Sequence, residues 1–117
     1  MFVATVVLSI VLAALLVVSA RGKLTHDATI MRIMRHVGAS DRLVRVLAYL
    51  EIAGAVGLLV GLVGPLGWIG VLAGVGVVLY FLGALVAHLR VGDKNVVAPA
   101  VPLVLAVVVL ALRSASA

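Results

Sequence analysis

Five residues of this 117-residue chain have the types and spacing to do chemistry: Glu51, Lys23, His88, Ser19 and Tyr80. Glu51 comes first because it interrupts an otherwise apolar stretch, where an ionised carboxylate costs roughly 2.5–3.5 kcal/mol on insertion scales. It must be protonated, paired with a cation, or turned toward a wet cavity. Lys23 closes the first apolar run, and its flexible stem can point outward or fold back, so it or His88 is the candidate partner. Ser19, Tyr49 and Tyr80 fall at depths where their hydroxyls could join the same cluster. Such a cluster can stitch helices together as an ion pair, hold a ligand or lipid head group, or relay a proton. The residues alone leave all three open.

These side chains need elements to position them, and the elements follow from hydropathy. Four apolar runs, from about Phe2 to Ala20, Val44 to Val63, Trp68 to Leu89 and Val96 to Leu112, take up most of the chain. Each approaches the 20 or so residues that a helix needs to cross a bilayer core of about 30 Å. The expected fold is all-α, an integral-membrane four-helix bundle in a single domain, with a short amphipathic interfacial helix between the first two spans. That helix covers about His26 to Val37, because Ile30, Ile33, Met34 and Val37 recur at helical spacing beside Arg32, Arg35 and His36. The same pattern would suit an ordinary connecting helix packed on the bundle. Thr25 or Asp27 can cap its start, Gly38 can end it, and Ser40 can cap the next helix, which opens with Asp41.

Gly54, Gly57, Gly61 and Gly64 recur every three or four residues, a ridge that lets another helix approach closely, and Gly70 and Gly74 offer a second such surface. Gly64-Pro65-Leu66-Gly67 reads as a tight turn, followed by Trp68 where an interfacial anchor belongs. Tyr80, Ala84 and His88 share one helical face. Pro99 is tolerable near the start of the last span, whereas Pro102 should bend its first turn or release a carbonyl.

Composition excludes several functions. The chain is 66% hydrophobic with a mean hydropathy of +1.41, so the bilayer is its solvent. Its net charge of +5 sits beside the ends of the spans without interleaved aromatics, which suits anionic lipid head groups and not nucleic acid. No cysteine is present, so thiolate metal ligands and dithiol chemistry are absent. No two of the three histidines stand at a metal-ligand spacing, and His26 and His36 lie in the polar loop, away from a facing span, so neither a metal nor an intrinsic haem is expected. The first run lacks a basic segment before it and carries Arg21 and Lys23 after it, and so reads as a retained span and not a signal peptide.

Eight of the nine basic residues, Arg21, Lys23, Arg32, Arg35, Arg42, Arg45, Arg90 and Lys94, fall in the loops after the first and third spans. By the positive-inside rule the loops Arg21 to Arg45 and Arg90 to Asn95 are cytoplasmic and both termini lie outside. Arg113 alone is on the other side.

The segments Ser19-Ala20-Arg21-Gly22-Lys23-Leu24, His36-Val37-Gly38, Leu50-Glu51-Ile52-Ala53-Gly54-Ala55-Val56-Gly57-Leu58 and Ala87-His88-Leu89-Arg90 resemble the DoxX-like branch of the DoxX family. The resemblance extends over nearly the whole chain, with its glycine two positions later than in the family's usual Ser-Gly ahead of Lys-Leu. It implies a small multi-pass protein of the bacterial inner membrane. DoxX proper is a subunit associated with thiosulfate:quinone oxidoreductase, so the resemblance implies a redox or quinone connection by analogy. The leading expectation is a non-enzymatic subunit or small-amphiphile-binding protein in which Glu51, Lys23 and His88, with Ser19 and Tyr80, hold a quinone or lipid. It has no intrinsic cofactor and no catalytic residue. Its partners would be membrane lipids, a membrane oxidoreductase or another protein, or further copies of the chain. One alternative is a proton-coupled transporter acting as a dimer, like the four-span multidrug transporters with one intramembrane glutamate. Another is a structural subunit whose basic loop docks a cytoplasmic partner.

Overall fold

The computed structural model describes residues 2–92 and 97–116. Among them every regular element is helical: α1 (Phe2–Leu24), α2 (Ala28–His36), α3 (Asp41–Val60), α4 (Gly67–Arg90) and α5 (Val97–Ser116), with one 3₁₀ turn at Gly64–Leu66. The four long helices pack in a ring, α1 on α3, α3 on α4, α4 on α5 and α5 back on α1. α2 leans against the end of α1.

The caps are local consequences of sequence. Asp27 accepts the Ile30 N–H at 3.1 Å and starts α2, and Ser40 accepts the Leu43 N–H at 3.2 Å and starts α3. Between these helices Gly38 takes φ +82°, the left-handed conformation that a residue with no Cβ adopts without strain. The predicted tight turn after α3 is more ordered than expected. α3 stops at Val60, and Pro65 then occupies the first turn of the 3₁₀ segment, where its missing N–H costs nothing.

Each long helix buries one stripe. On α3 the buried residues are Val44, Ala48, Glu51, Ala55 and Leu58, alternating spacings of four and three. This is the seam of a helix packed at a shallow angle. Leu12 and Leu16 of α1, Leu58 of α3, Val77 and Phe81 of α4, and Ala106 and Val109 of α5 meet it in one core. Outside the seams the surface is apolar: Val18, Leu50, Leu72, Leu79 and Val104 are all more than half exposed. A water-facing protein does not present that surface, and a bilayer accepts it.

Among the described residues three helices, Phe2–Leu24, Asp41–Val60 and the stretch through Gly64–Arg90, are long and apolar enough to cross a membrane. The apolar part of α5, Pro99–Ala115, is shorter than the length the other three reach. Pro102 is accommodated inside α5 and leaves the Ala98 carbonyl without its usual N–H. Val96, Lys94 and Asn95, assigned to the last span and its loop, lie outside the described residues.

Glycine sets how closely the helices approach. Gly54, Gly57 and Gly61 face α4, and a Cβ on Gly61 would run into the backbone of Gly70. Gly70 takes part in that contact, and Gly74 meets Leu110 of α5. Gly64 was expected to extend the ridge and does not. It lies beyond the end of α3 with open space around it.

Candidate functional site

Lys23, in the last turn of α1, folds inward. Its Nζ donates to Glu51 Oε1 at 2.6 Å and to Ser19 Oγ at 2.7 Å. The side chains of the pair are 6% and 0% exposed. The register explains the meeting: Lys23 continues the buried stripe Leu12, Leu16, Ala20 of α1, and Glu51 is the central residue of the α3 seam. Ser19 lies one turn before Lys23 and accepts its second hydrogen bond. A buried ion pair survives when its remaining donors and acceptors are satisfied. Here one atom is not: Glu51 Oε2 is buried and has no hydrogen-bond partner among the described residues.

Two cavities share Glu51 in their walls. The first, about 440 Å³, is lined by Ser19, Lys23, Glu51, Tyr80 and His88 together with apolar residues, and α2 closes it from above with Ile30, Ile33 and Met34. All five predicted site residues thus border one space. The second, about 600 Å³, runs between α3 and α4 over Gly54, Gly57, Ala73 and Gly76, and shares Leu50, Glu51, Leu79 and Tyr80 with the first.

Tyr80 of α4 brings its hydroxyl near enough to Glu51 for a charge interaction and a weak side-chain hydrogen bond, but not into the distance and angle of a full hydrogen bond to Oε2. His88, two turns further along the same helix, is buried, with Nδ1 at 2.9 Å from the Ala84 carbonyl. A carbonyl only accepts, so Nδ1 carries the proton and the ring is held against its own helix. Of the two candidate cations, Lys23 pairs with Glu51. Tyr49, also considered for the cluster, is 60% exposed and lines neither cavity. Two positions along a helix is about 200°, so Tyr49 points away from the seam that holds Glu51.

A second polar cluster lies at the opposite end of the bundle, where the sequence suggested only a flanking charge. α5 runs on to Ser116, and Arg113 is 5% exposed. Its Nε and Nη2 donate to Ser9 Oγ of α1 at 3.1 and 3.0 Å, and Nη2 also donates to the Leu58 carbonyl of α3 at 2.5 Å. The guanidinium fits because Gly61 and Gly70 have no side chains; a Cβ on either would collide with Nη1. The signals available in sequence were Ser9 within an apolar run and a glycine on each of two facing helices.

Neither a curated protein nor a solved structure matches this chain. A family model described as the DoxX-like family matches residues 7–112, a span that contains every residue of both polar clusters except Arg113, and together with the apolar helical bundle it shows that the chain is a membrane protein belonging to the DoxX-like family.

Proposed function

We propose that this protein binds one small amphiphile, a quinone-like molecule or a lipid, with its head group at the Lys23–Glu51 pair, and that it acts as a non-enzymatic membrane subunit. The observation that carries the reading is buried Glu51, shared by two cavities and with one carboxylate oxygen unmet among the described residues. Ligand sites are mostly apolar with a few convergent polar groups, and Ser19, Lys23, Glu51, Tyr80 and His88 form such a set. A purely structural ion pair needs no space beside it, which favours the binding role. Family membership supports a connection to membrane oxidoreductases only as analogy.

In this reading all four long helices cross the cytoplasmic membrane, α5 by virtue of its 20-residue length, and the α1–α3 and α4–α5 connections face the cytoplasm. The charge asymmetry supports it, and withdrawal of Arg113 into the bundle leaves the opposite end with no exposed basic residue from the helices. The exposed Arg32, Arg35, Arg42 and Arg45 then meet anionic head groups. The chain has no cysteine, so single cysteines at exposed Arg35 and at exposed Val63 can be labelled in intact cells and in inverted vesicles. The reading expects opposite protection.

Native mass spectrometry of the purified protein tests the binding role. The native chain should retain a defined amphiphile that a folded Glu51→Gln variant loses. Equal ligand content in both would remove it.

A further inference from the structure

We infer that the site selects amphiphiles whose neutral head group donates a hydrogen bond, with a single tail laid along the α3–α4 groove. The inference rests on the proposed binding role and adds the chemical class of the ligand.

The head-group argument counts charges and lone pairs. Lys23 and Glu51 sum to zero, and both are buried. An anionic head would meet the carboxylate at close range in an apolar cavity, and a cationic head would compete with Lys23 and leave one positive charge in excess. A neutral head disturbs neither. Within the pair, Oε1 is taken by Lys23 and Lys23 is also bonded to Ser19, whereas Oε2 is buried with no full hydrogen bond from the described residues, Tyr80 being its weak neighbour. A carboxylate oxygen only accepts, so the group that completes the site is an O–H or N–H. A carbonyl or ether oxygen in the same place would face a lone pair, so of the ligands proposed above the hydroxyl-bearing quinol form or a neutral lipid with a free hydroxyl fits, and an oxidised quinone ring does not.

The tail argument is continuity. Glu51 belongs to the walls of both cavities, so a head group that reaches in to Oε2 has its chain at the mouth of the groove. The floor there is Ala53, Gly54, Gly57, Ala73 and Gly76, and from Glu51 to Gly57 it extends for about 9 Å along α3. A Cβ added to Gly76 would meet nothing, so the groove has free width at that point. Its smooth floor suits one chain.

The test uses dodecanol and dodecyl methyl ether, which share a tail and an oxygen and differ in the donor. Binding of each to the delipidated full-length chain is read by titration under native mass spectrometry. Dodecanol should bind at least about tenfold tighter than the ether, the discrimination set by one hydrogen bond to a charged acceptor. Glu51→Gln replaces Oε2 by an NH₂ donor when its carbonyl takes Lys23, so the preference should fall to near unity or reverse. Gly76→Leu starts from a Cβ that meets nothing and adds bulk to the groove, and should weaken both ligands about tenfold.

Equal binding of alcohol and ether to the native chain overturns the donor rule while the binding role stands. Failure of both ligands to bind overturns that role as well. A preference that emerges only in Tyr80→Phe assigns Oε2 to the Tyr80 phenol and overturns the inference. Unchanged affinities in Gly76→Leu remove the groove as the tail site.

Discussion

Breaking the Lys23–Glu51 pair from its two ends should have unequal costs. The Nζ–Oε1 distance is 2.6 Å and the side chains are 6% and 0% exposed. At an effective dielectric of 20 the gross attraction is about 6 kcal/mol, and desolvation of both groups offsets most of it, so the intact pair sits near break-even. Lys23→Met leaves a carboxyl without its cation at the centre of the α3 seam, on a short stem that has no route to water. Removing one partner of a buried pair in this way should cost about 3–5 kcal/mol. Glu51→Gln leaves Lys23, which is in the last turn of α1 and can swing its stem out of the bundle. Its loss should be smaller, about 1–2 kcal/mol. The double variant Lys23→Met with Glu51→Gln buries no charge and should recover most of the loss of Lys23→Met. Steric-trapping measurements in bicelles read all three. Equal losses from the two ends, or losses that add in the double variant, would refute the claim that the two groups are coupled and shielded from water.

Three further expectations use the same stability assay or hydrogen exchange. Gly61→Ala drives a Cβ into the Gly70 backbone and toward Arg113, an overpacking that no side-chain rotation relieves and that should cost about 3 kcal/mol or more; Gly76→Ala meets open space and should stay within about 0.5 kcal/mol. Ser9→Ala removes the hydroxyl that accepts both Nε and Nη2 of buried Arg113, and should cost about 1–3 kcal/mol in steric trapping. Asp27→Ala uncaps α2, whose nine residues are too few to persist as an isolated helix, so the amides from Met31 to Met34 should exchange faster while those at the centre of α3 are unchanged.

The fold and the Glu51 site were legible in sequence for the same reason: in an apolar chain each polar residue is conspicuous. Glu51 announced itself by interrupting a hydrophobic run, and Lys23 was the nearest flexible cation at the correct end of a neighbouring helix. The caps at Asp27 and Ser40 and the turn at Gly38 are local rules, and the structure follows them. What stayed hidden depends on contacts between distant segments. Arg113 ends an apolar run, the usual place of an interfacial charge. It becomes a buried bridge only because α5 continues past it and two glycines on other helices vacate the space. Gly64 matched the ridge spacing, but spacing loses its meaning once α3 has ended at Val60. Tyr49 stays outside the cluster for a different reason: it matches Glu51 in depth but not in azimuth, which helical geometry already fixes.

The two polar clusters use their charges differently, and under the proposed binding role this difference favours the Glu51 end. At the Arg113 end the fixed fork of the guanidinium spans from α5 to a hydroxyl on α1 and a carbonyl on α3, in a niche so tight that a methyl group on Gly61 or Gly70 would not fit. Its directional donors are committed to holding three helices at a fixed spacing. At the Glu51 end the bridge joins α1 and α3 through a point-like ammonium that requires only one carboxylate oxygen, and the neighbouring element is α2, a short helix with few contacts to the bundle. The second oxygen is left over on Glu51, which both cavities share. Were both clusters structural bolts, closing the cavities with bulk should stabilise the bundle; under the binding reading, Gly76→Leu should leave stability near that of the native chain and lower ligand retention. Parallel measurement of unfolding free energy and native ligand content in that one variant separates the two roles.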